Sequence, residues 1–417
     1  MPAALAALAG LGVHWLTHIH RPMAEALESD MGGFSARAGQ ILHGPLDALI
    51  AFQSVGESLL LAALSLNGHW DSYVALTLVH VGAWLGGLLA TKRLAESWSL
   101  GPAAVLFCVV VYATWLPSAL YSNLCLNESV GASLVLIGAA SWVTDRGREA
   151  FVGGVALGLA CLFRPNVTPM IAILFALYIC AGANARLRLG RDWTTAGRHL
   201  PFWVGCAIAV ALGLLATRLV APGSVGFAMS DAMNLYLGVK PIRGLTFANG
   251  GGWMPLVNNN LYTYIEFSDA SMMDREHFFA AAAEQVRTHP TESLLRWGRN
   301  IVESTGYHIG YFPGLPGFNW LLRPFALASS LFAVIGMFAA WQQRQRVVGQ
   351  ITLAAGLCML VTVAFFMGTP RARFPFDMVF LVAAVAGART VAQRWRSRRL
   401  DSGAARDVDL RTPPGPL

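Results

Sequence analysis

Four groups of polar residues interrupt an otherwise apolar chain, and each has residue types and spacing that can do chemistry. The first is Glu28-Ser-Asp30-Met-Gly-Gly-Phe34, followed by Ala38, Ile41, Leu42 and Gly44. A carboxylate at Asp30 can act as a general base, taking the proton of an attacking hydroxyl. The glycines let the backbone turn close to a ligand. The same acid would equally serve as the N-cap of a helix from Gly33 to His43. The second group is Leu126-Asn127-Glu128-Ser129. Glu128 opens an apolar run, where it can hold a hydroxyl, a cation or an arginine, or stabilise a helix N-terminus through the dipole. The third is Leu162-Phe-Arg164-Pro165-Asn166, and the fourth is Pro370-Arg371-Ala-Arg373-Phe374-Pro375. Arg164, Arg371 and Arg373 can jointly hold a phosphate or diphosphate through charge-assisted, often bidentate bonds. The alternative is that they snorkel to lipid headgroups. His14 and His18 share a helical face as zinc ligands can, but no Cys or carboxylate set completes a metal site. No Gly-rich phosphate loop, Ser-His-Asp order or HExxH motif is present.

The elements that position these groups follow from composition. Of 417 residues, 55% are hydrophobic and 13% charged, and the mean hydropathy is +0.51. A soluble domain carries about 25% charged residues and could not cover this much apolar surface. That excludes a disordered chain, a nucleic-acid binder and most cytosolic enzymes, and predicts an all-α polytopic membrane protein. Apolar runs fall at about 2–19, 72–91, 101–120, 127–144, 150–164, 167–183, 201–220, 321–341, 349–368 and 374–392. They predict about ten transmembrane helices, two of the runs being short for a span. The first run has no basic n-region or cleavage site and reads as a retained helix.

Arginine placement sets the sides. Basic residues follow the second, fourth, sixth, eighth and tenth runs: Lys92 and Arg93; Arg146 and Arg148; Arg186, Arg188, Arg191 and Arg198; Arg344 and Arg346; then Arg389 to Arg399. This alternation predicts both termini in the cytoplasm of a multi-pass bacterial inner-membrane protein. It also accounts for the net charge of +7 without an anionic macromolecular partner. Arg164 stands out because it lies on the side the rule leaves poor in arginine. The predicted division is 1–220, seven transmembrane helices with a catalytic first outer loop at 20–71; 221–320, a large extracytoplasmic loop; 321–395, three more transmembrane helices; and 396–417, a disordered cytoplasmic tail. Within the first loop, Ser54–Leu66 reads as an interfacial or re-entrant helix. Within the second, Asn249–Trp253 and Asn258–Asn260 are loop signals, and Asp274 to Ser304 reads as two interfacial helices broken at Pro290. The six cysteines include no CxxC pair and read as small core residues.

In order along the chain, these motifs resemble the GT-C family of membrane glycosyltransferases, with the protein O-mannosyltransferases and the bacterial lipid A aminoarabinose transferases nearest in pattern. Asp30, Phe34, Ala38, Ile41-Leu42 and Gly44 follow the family's first outer loop, although Asp30-Met31 stands where an Asp-Glu pair is common. Asn127-Glu128-Ser129 resembles its acidic helix opening. Gly154, Gly158-Leu-Ala160 and Leu162-Phe-Arg164-Pro165 resemble its glycine-rich helix and Arg/Lys-Pro end. Arg371-Ala-Arg373-Phe-Pro375 resembles its late outer loop, and Ala283 to Pro290 its His/Asn-Pro helix break. The resemblance implies a GT-C-like fold with long outer loops and a sugar donor carried on polyprenyl phosphate. It further implies inversion at the anomeric carbon and Asp30 as catalytic base. Glu128, Arg164, Arg371, Arg373, Glu28 and Phe34 would then bind substrate, and the donor tail would lie near Trp253, Tyr262 and Tyr264. The acceptor would be a glycan, lipid or protein hydroxyl; no metal ligand set or other cofactor is assigned, and a divalent cation stays open. A transporter or lipid flippase is the competing reading, although no internal repeat is visible and the charges cluster at one face. A non-catalytic envelope scaffold is the third.

Overall fold

The computed structural model describes residues 2–20, 22–25, 27, 30–66, 68, 71–144, 146–189, 199–239, 275–304, 318–344, 346–366 and 370–409. Among them the chain forms seventeen α-helices and no strand. In chain order these are α1 (Pro2–His20), α2 (Asp30–His43), α3 (Gly56–Ser65), α4 (Ser72–Ser97), α5 (Pro102–Ala113), α6 (Leu116–Ser122), α7 (Glu128–Trp142) and α8 (Gly147–Phe163). There follow α9 (Thr168–Leu189), α10 (Leu200–Val220), α11 (Asp231–Val239), α12 (Arg275–Thr288), α13 (Pro290–Glu303), α14 (Phe318–Gln342), α15 (Val347–Phe365), α16 (Pro370–Arg373) and α17 (Asp377–Asp409).

A helix covers most of each apolar run. Six of the described helices are long and apolar enough to cross a membrane, or seven if α5 and α6, bent by 43° at their break, count as one. Polar residues set the ends of two of the shorter helices. Glu128 starts α7, and Arg164-Pro165 ends α8 before α9 begins. Proline removes a donor and bars helix continuation. The 15 residues of α7 rise about 22 Å, short of the ~30 Å hydrocarbon core. The 26 residues of α4 rise about 39 Å. The short helices therefore end inside a frame of longer ones, and their polar ends are what they place there. Lipid-facing surface is supplied by exposed apolar side chains such as Leu78, Phe107, Leu212, Leu331 and Val334. The chain is a multi-pass membrane protein.

Close packing of α8 on α10 fixes the level of Arg164. A Cβ added at Gly154 would meet the Phe202 carbonyl oxygen at 1.9 Å, and one at Gly158 would meet the Cys206 carbonyl at 2.7 Å. The four-residue spacing of these glycines is the small-residue seam that lets two apolar helices touch backbones in a bilayer. At the arginine-rich end, the fully buried Trp142 stacks on His199 at 4.2 Å, and Arg93 meets Glu149 across helices at 3.4 Å.

In the described part of the large loop, α12 and α13 break at Pro290 as the sequence predicts. Helix α13 exposes Leu294, Leu295, Ile301 and Val302 while Ser293 and Asn300 are buried. The last helix runs to Asp409, into the 396–417 segment expected to be a disordered tail. The alanines and arginines of that stretch favour helix, and the first proline after it is Pro413. All six cysteines are free thiols, and only Cys180 is exposed.

The seam predicts that Gly154→Leu lowers stability by about 1–3 kcal/mol through overpacking, read as a drop in Tm in detergent micelles. Gly12→Ala, where an added Cβ meets nothing within 4 Å, leaves Tm unchanged or higher.

Candidate active site

Glu128 sits at the first residue of α7 with its side chain fully buried. Its Oε1 accepts from Arg164 Nη1 at 2.9 Å and from Arg371 Nε at 2.5 Å. These three residues lie on segments far apart in the chain, at the start of α7, the end of α8 and within α16. Arg164 is locked further, since its Nη2 donates to the Arg371 carbonyl at 2.8 Å and its Nη1 reaches Asn127 Oδ1 at 3.3 Å. Asn127 in turn donates to Ser54 Oγ at 2.6 Å, and Ser54 donates to the Phe163 carbonyl at 2.6 Å. Asn166 Nδ2 adds a bond to the Ala372 carbonyl at 3.4 Å. The segments carrying the second, third and fourth motifs thus meet at one place.

One buried carboxylate oxygen thus holds two guanidinium groups side by side. The Arg164 and Arg371 side chains keep 12% and 16% of their surface exposed, while Glu128 keeps none. The second carboxylate oxygen, Glu128 Oε2, is buried without a hydrogen-bond partner, a costly state for an acceptor. Anion binding at the exposed guanidinium edges and hydroxyl binding at Oε2 are the chemistry this arrangement offers.

The other predicted residues fall differently. Arg373 turns into the protein. It pairs with Asp377 at 3.1 Å and donates to Ser330 at 2.7 Å and Ser329 at 2.6 Å, with 3% of its side chain exposed. The structure therefore does not bring Arg373 to Glu128, and its bonds join α16 to α14 and α17. Phe34 is a core residue at 2% exposure, with the Arg37 guanidinium 4.9 Å over its ring. Glu28 lies outside the described residues, as do Trp253, Tyr262, Tyr264 and the Asn249–Trp253 and Asn258–Asn260 segments. Helix α2 begins at Asp30 itself, three residues before the predicted Gly33; the Asp30 side chain is outside the described set. The helix it opens is nonetheless tied to the site, because Ser58 on α3 donates to the Phe34 carbonyl at 3.0 Å and α3 follows directly on Ser54. His14 is buried edge-on against Trp84 at 4.5 Å, and among the described residues no three His, Cys, Asp or Glu converge as a metal site.

Sequence reasoning missed three ionisable residues beside the cluster. Glu57, in the first turn of α3, places Oε1 3.0 Å from His80 Nε2, both fully buried. His80 Nδ1 lies 3.2 Å from the Ser122 carbonyl, and the Ser122 hydroxyl is 2.7 Å from that of Ser129, next to Glu128. Burial pushes the Glu57 carboxyl above its ordinary range, against the pull of His80. Arg37 holds Gln53 at 2.5 Å. One signal for Glu57 was its position as the single charge within Ser54–Leu66. His80 gave none, since a lone histidine in an apolar run has no partner in sequence. Beyond His80, α4 continues eight residues outward, about 12 Å of rise, so His80 lies well below the outer end of α4.

Breaking a buried pair leaves an uncompensated charge, whereas replacing both partners by apolar groups is often tolerated. Glu57→Ala is expected to cost about 3–5 kcal/mol in thermal unfolding of the micellar protein, and Glu57→Met with His80→Leu to cost clearly less. Additive losses in that double variant would show that the two groups are not coupled.

No protein-family model and no curated protein matches this sequence. Among solved structures, the fold is similar to that of the Archaeoglobus fulgidus oligosaccharyltransferase in the apo form, with a TM-score of 0.50 and 12% identity. The match covers 97% of this chain but 52% of the other, so the chain spans about half the length of that protein. A second similarity is to ArnT from Cupriavidus metallidurans bound to undecaprenyl phosphate, covering 94% of this chain and 77% of that one at 12% identity. Its TM-score of 0.39 is too low to carry an argument. At these identities the likeness is one of fold: the described residues, all helical or irregular, share the fold of that oligosaccharyltransferase.

Proposed function

We propose that this protein is an inverting glycosyltransferase that moves a sugar from a polyprenyl-phosphate donor to an acceptor hydroxyl at the extracytoplasmic face of a bacterial inner membrane. The observation that carries the reading is the buried Glu128 carboxylate holding Arg164 and Arg371 side by side, each guanidinium side chain keeping part of its surface exposed. That arrangement suits a departing phosphate, and the fold shared with an oligosaccharyltransferase is consistent with it.

In this mechanism the acceptor oxygen attacks the anomeric carbon as Asp30 takes its proton. The bond from the anomeric carbon to the phosphate oxygen breaks on the opposite side, and polyprenyl phosphate leaves with one more negative charge than it had as a diester. Arg164 and Arg371 meet that charge as it develops. They are preorganised on Glu128, so little reorganisation is needed when the bond breaks. Glu128 Oε2 accepts a hydroxyl of the sugar or acceptor. Helical spacing sets position 30 on the same stripe of α2 as Phe34 and Arg37, and α3 carries that helix against the cluster. Both termini lie in the cytoplasm, following the arginine alternation. A lipid-borne donor fits an outer face that has no supply of nucleotide sugars.

Purified protein incubated with a panel of polyprenyl-phosphate sugars and acceptors should release free polyprenyl phosphate with one of them. Movement of intact donor between leaflets without release would instead favour the flippase reading. Asp30→Asn should abolish release while Tm is retained; full activity in that variant excludes Asp30 as base. Arg371→Ala should lower turnover about 10²–10³-fold, the cost of one preorganised charge-stabilising donor, with partial rescue by Arg371→Lys.

A further inference from the structure

At the end of the bundle opposite Glu128, three segments enclose a cleft of about 180 Å³. They are the α4–α5 turn at Trp98–Leu100, the α14–α15 turn at Gln342, Gln343 and Arg346, and the face of α17 bearing Arg389, Thr390 and Gln393. We propose that this cleft binds the phosphate of an anionic phospholipid, a role separate from glycosyl transfer and independent of that reading.

The argument starts from unmatched donors. Arg346 is exposed, and its guanidinium makes no ion pair or hydrogen bond with the described residues. Arg389 gives one bond, from Nη1 to the Ser99 carbonyl at 2.9 Å, leaving the rest of its five-donor fork available. Trp98 Nε1, a donor only, is buried without an acceptor. No carboxylate is among the residues that line the cleft, and nearby Glu96 is engaged by Lys92 at 2.6 Å. Two full positive charges, an orphaned indole N–H and several amides therefore face one small volume, and the ligand they suit is an acceptor-rich anion. Phosphate answers that description, and guanidinium groups bind it bidentately.

The surroundings point to a lipid as its source. Trp341, adjacent to Gln342 on α14, is exposed, and Arg344 stacks on it at 4.8 Å. Tryptophan and arginine at such helix ends mark the level of the headgroups. Phe338, one turn from Gln342 on α14, is 60% exposed and offers apolar surface along which acyl chains can run. A basic pocket between helices at this level is the form that anionic-lipid recognition takes.

The test uses the full chain in detergent micelles, with phosphatidylglycerol, phosphatidylcholine and inorganic phosphate as separate probes. Lipid retention is read by native mass spectrometry and stability by Tm. Phosphatidylglycerol should be retained and raise Tm, and phosphatidylcholine should do neither. Arg346→Gln, whose side chain has no partner in the fold to lose, should weaken phosphatidylglycerol about fivefold. With Arg389→Gln added, the loss should reach about 30-fold, at roughly 1 kcal/mol per arginine. Equal retention of the two lipids, or unchanged affinity in Arg346→Gln, overturns the site. A rise in Tm with inorganic phosphate but not with phosphatidylglycerol overturns the assignment to lipid.

Discussion

A single carboxylate oxygen organises one end of this protein. Glu128 Oε1 receives two guanidinium groups brought from 36 and 243 residues away in sequence. Neither arginine could sit there alone, because unpaired charge is expensive where water is scarce. Glu128 could not be fully buried without them. The three residues are therefore mutually required, and the helices that carry them are held in register by that requirement. The two arginines also keep partly exposed edges, and the juxtaposition of two guanidinium groups there is the property on which the proposed chemistry rests.

The architecture around the cluster follows from helix length. Long helices such as α4 frame the bundle, while α7 and α8 stop short because their ends carry Glu128 and Arg164-Pro165. The polar ends of these short helices are buried among longer ones and satisfied by one another. Gly154 and Gly158 set how closely α8 lies against α10 and so where Arg164 arrives. The Glu57–His80 pair anchors α3, and through α3 the helix that starts at Asp30. At the far end, Arg346 and Arg389 have no carboxylate partner among the described residues. One fold thus separates an arginine pair organised by a buried acid from an arginine pair facing its surroundings.

Much of this was legible in sequence, for identifiable reasons. The apolar runs marked the helices because burial in lipid demands near-continuous hydrophobicity. Arg164 stood out because it broke the alternation of basic loops, and it is a member of the central cluster. Glu128 was read as able to hold an arginine, a hydroxyl or a helix end, and sequence could not choose among them because the partners are hundreds of residues away. Arg371 and Arg373 looked equivalent at a spacing of two; the fold sends the first to Glu128 and the second to Asp377, a difference set by which neighbouring helix each side chain meets. Hydropathy placed runs over α7 and α8 but could not see that polar residues set the ends of those two helices. His80 was invisible since its partner Glu57 lies in a different element.

The most direct test of the central claim is a binding titration of the purified protein with polyprenyl monophosphate and with the corresponding uncharged polyprenol, in the parent and in the Arg164→Gln, Arg371→Gln double variant. The account predicts that the phosphate binds roughly 100-fold more tightly than the alcohol, as expected when two charged hydrogen-bonding groups engage it, and that the double variant loses this preference. Equal affinity for phosphate and alcohol in the parent protein would contradict it.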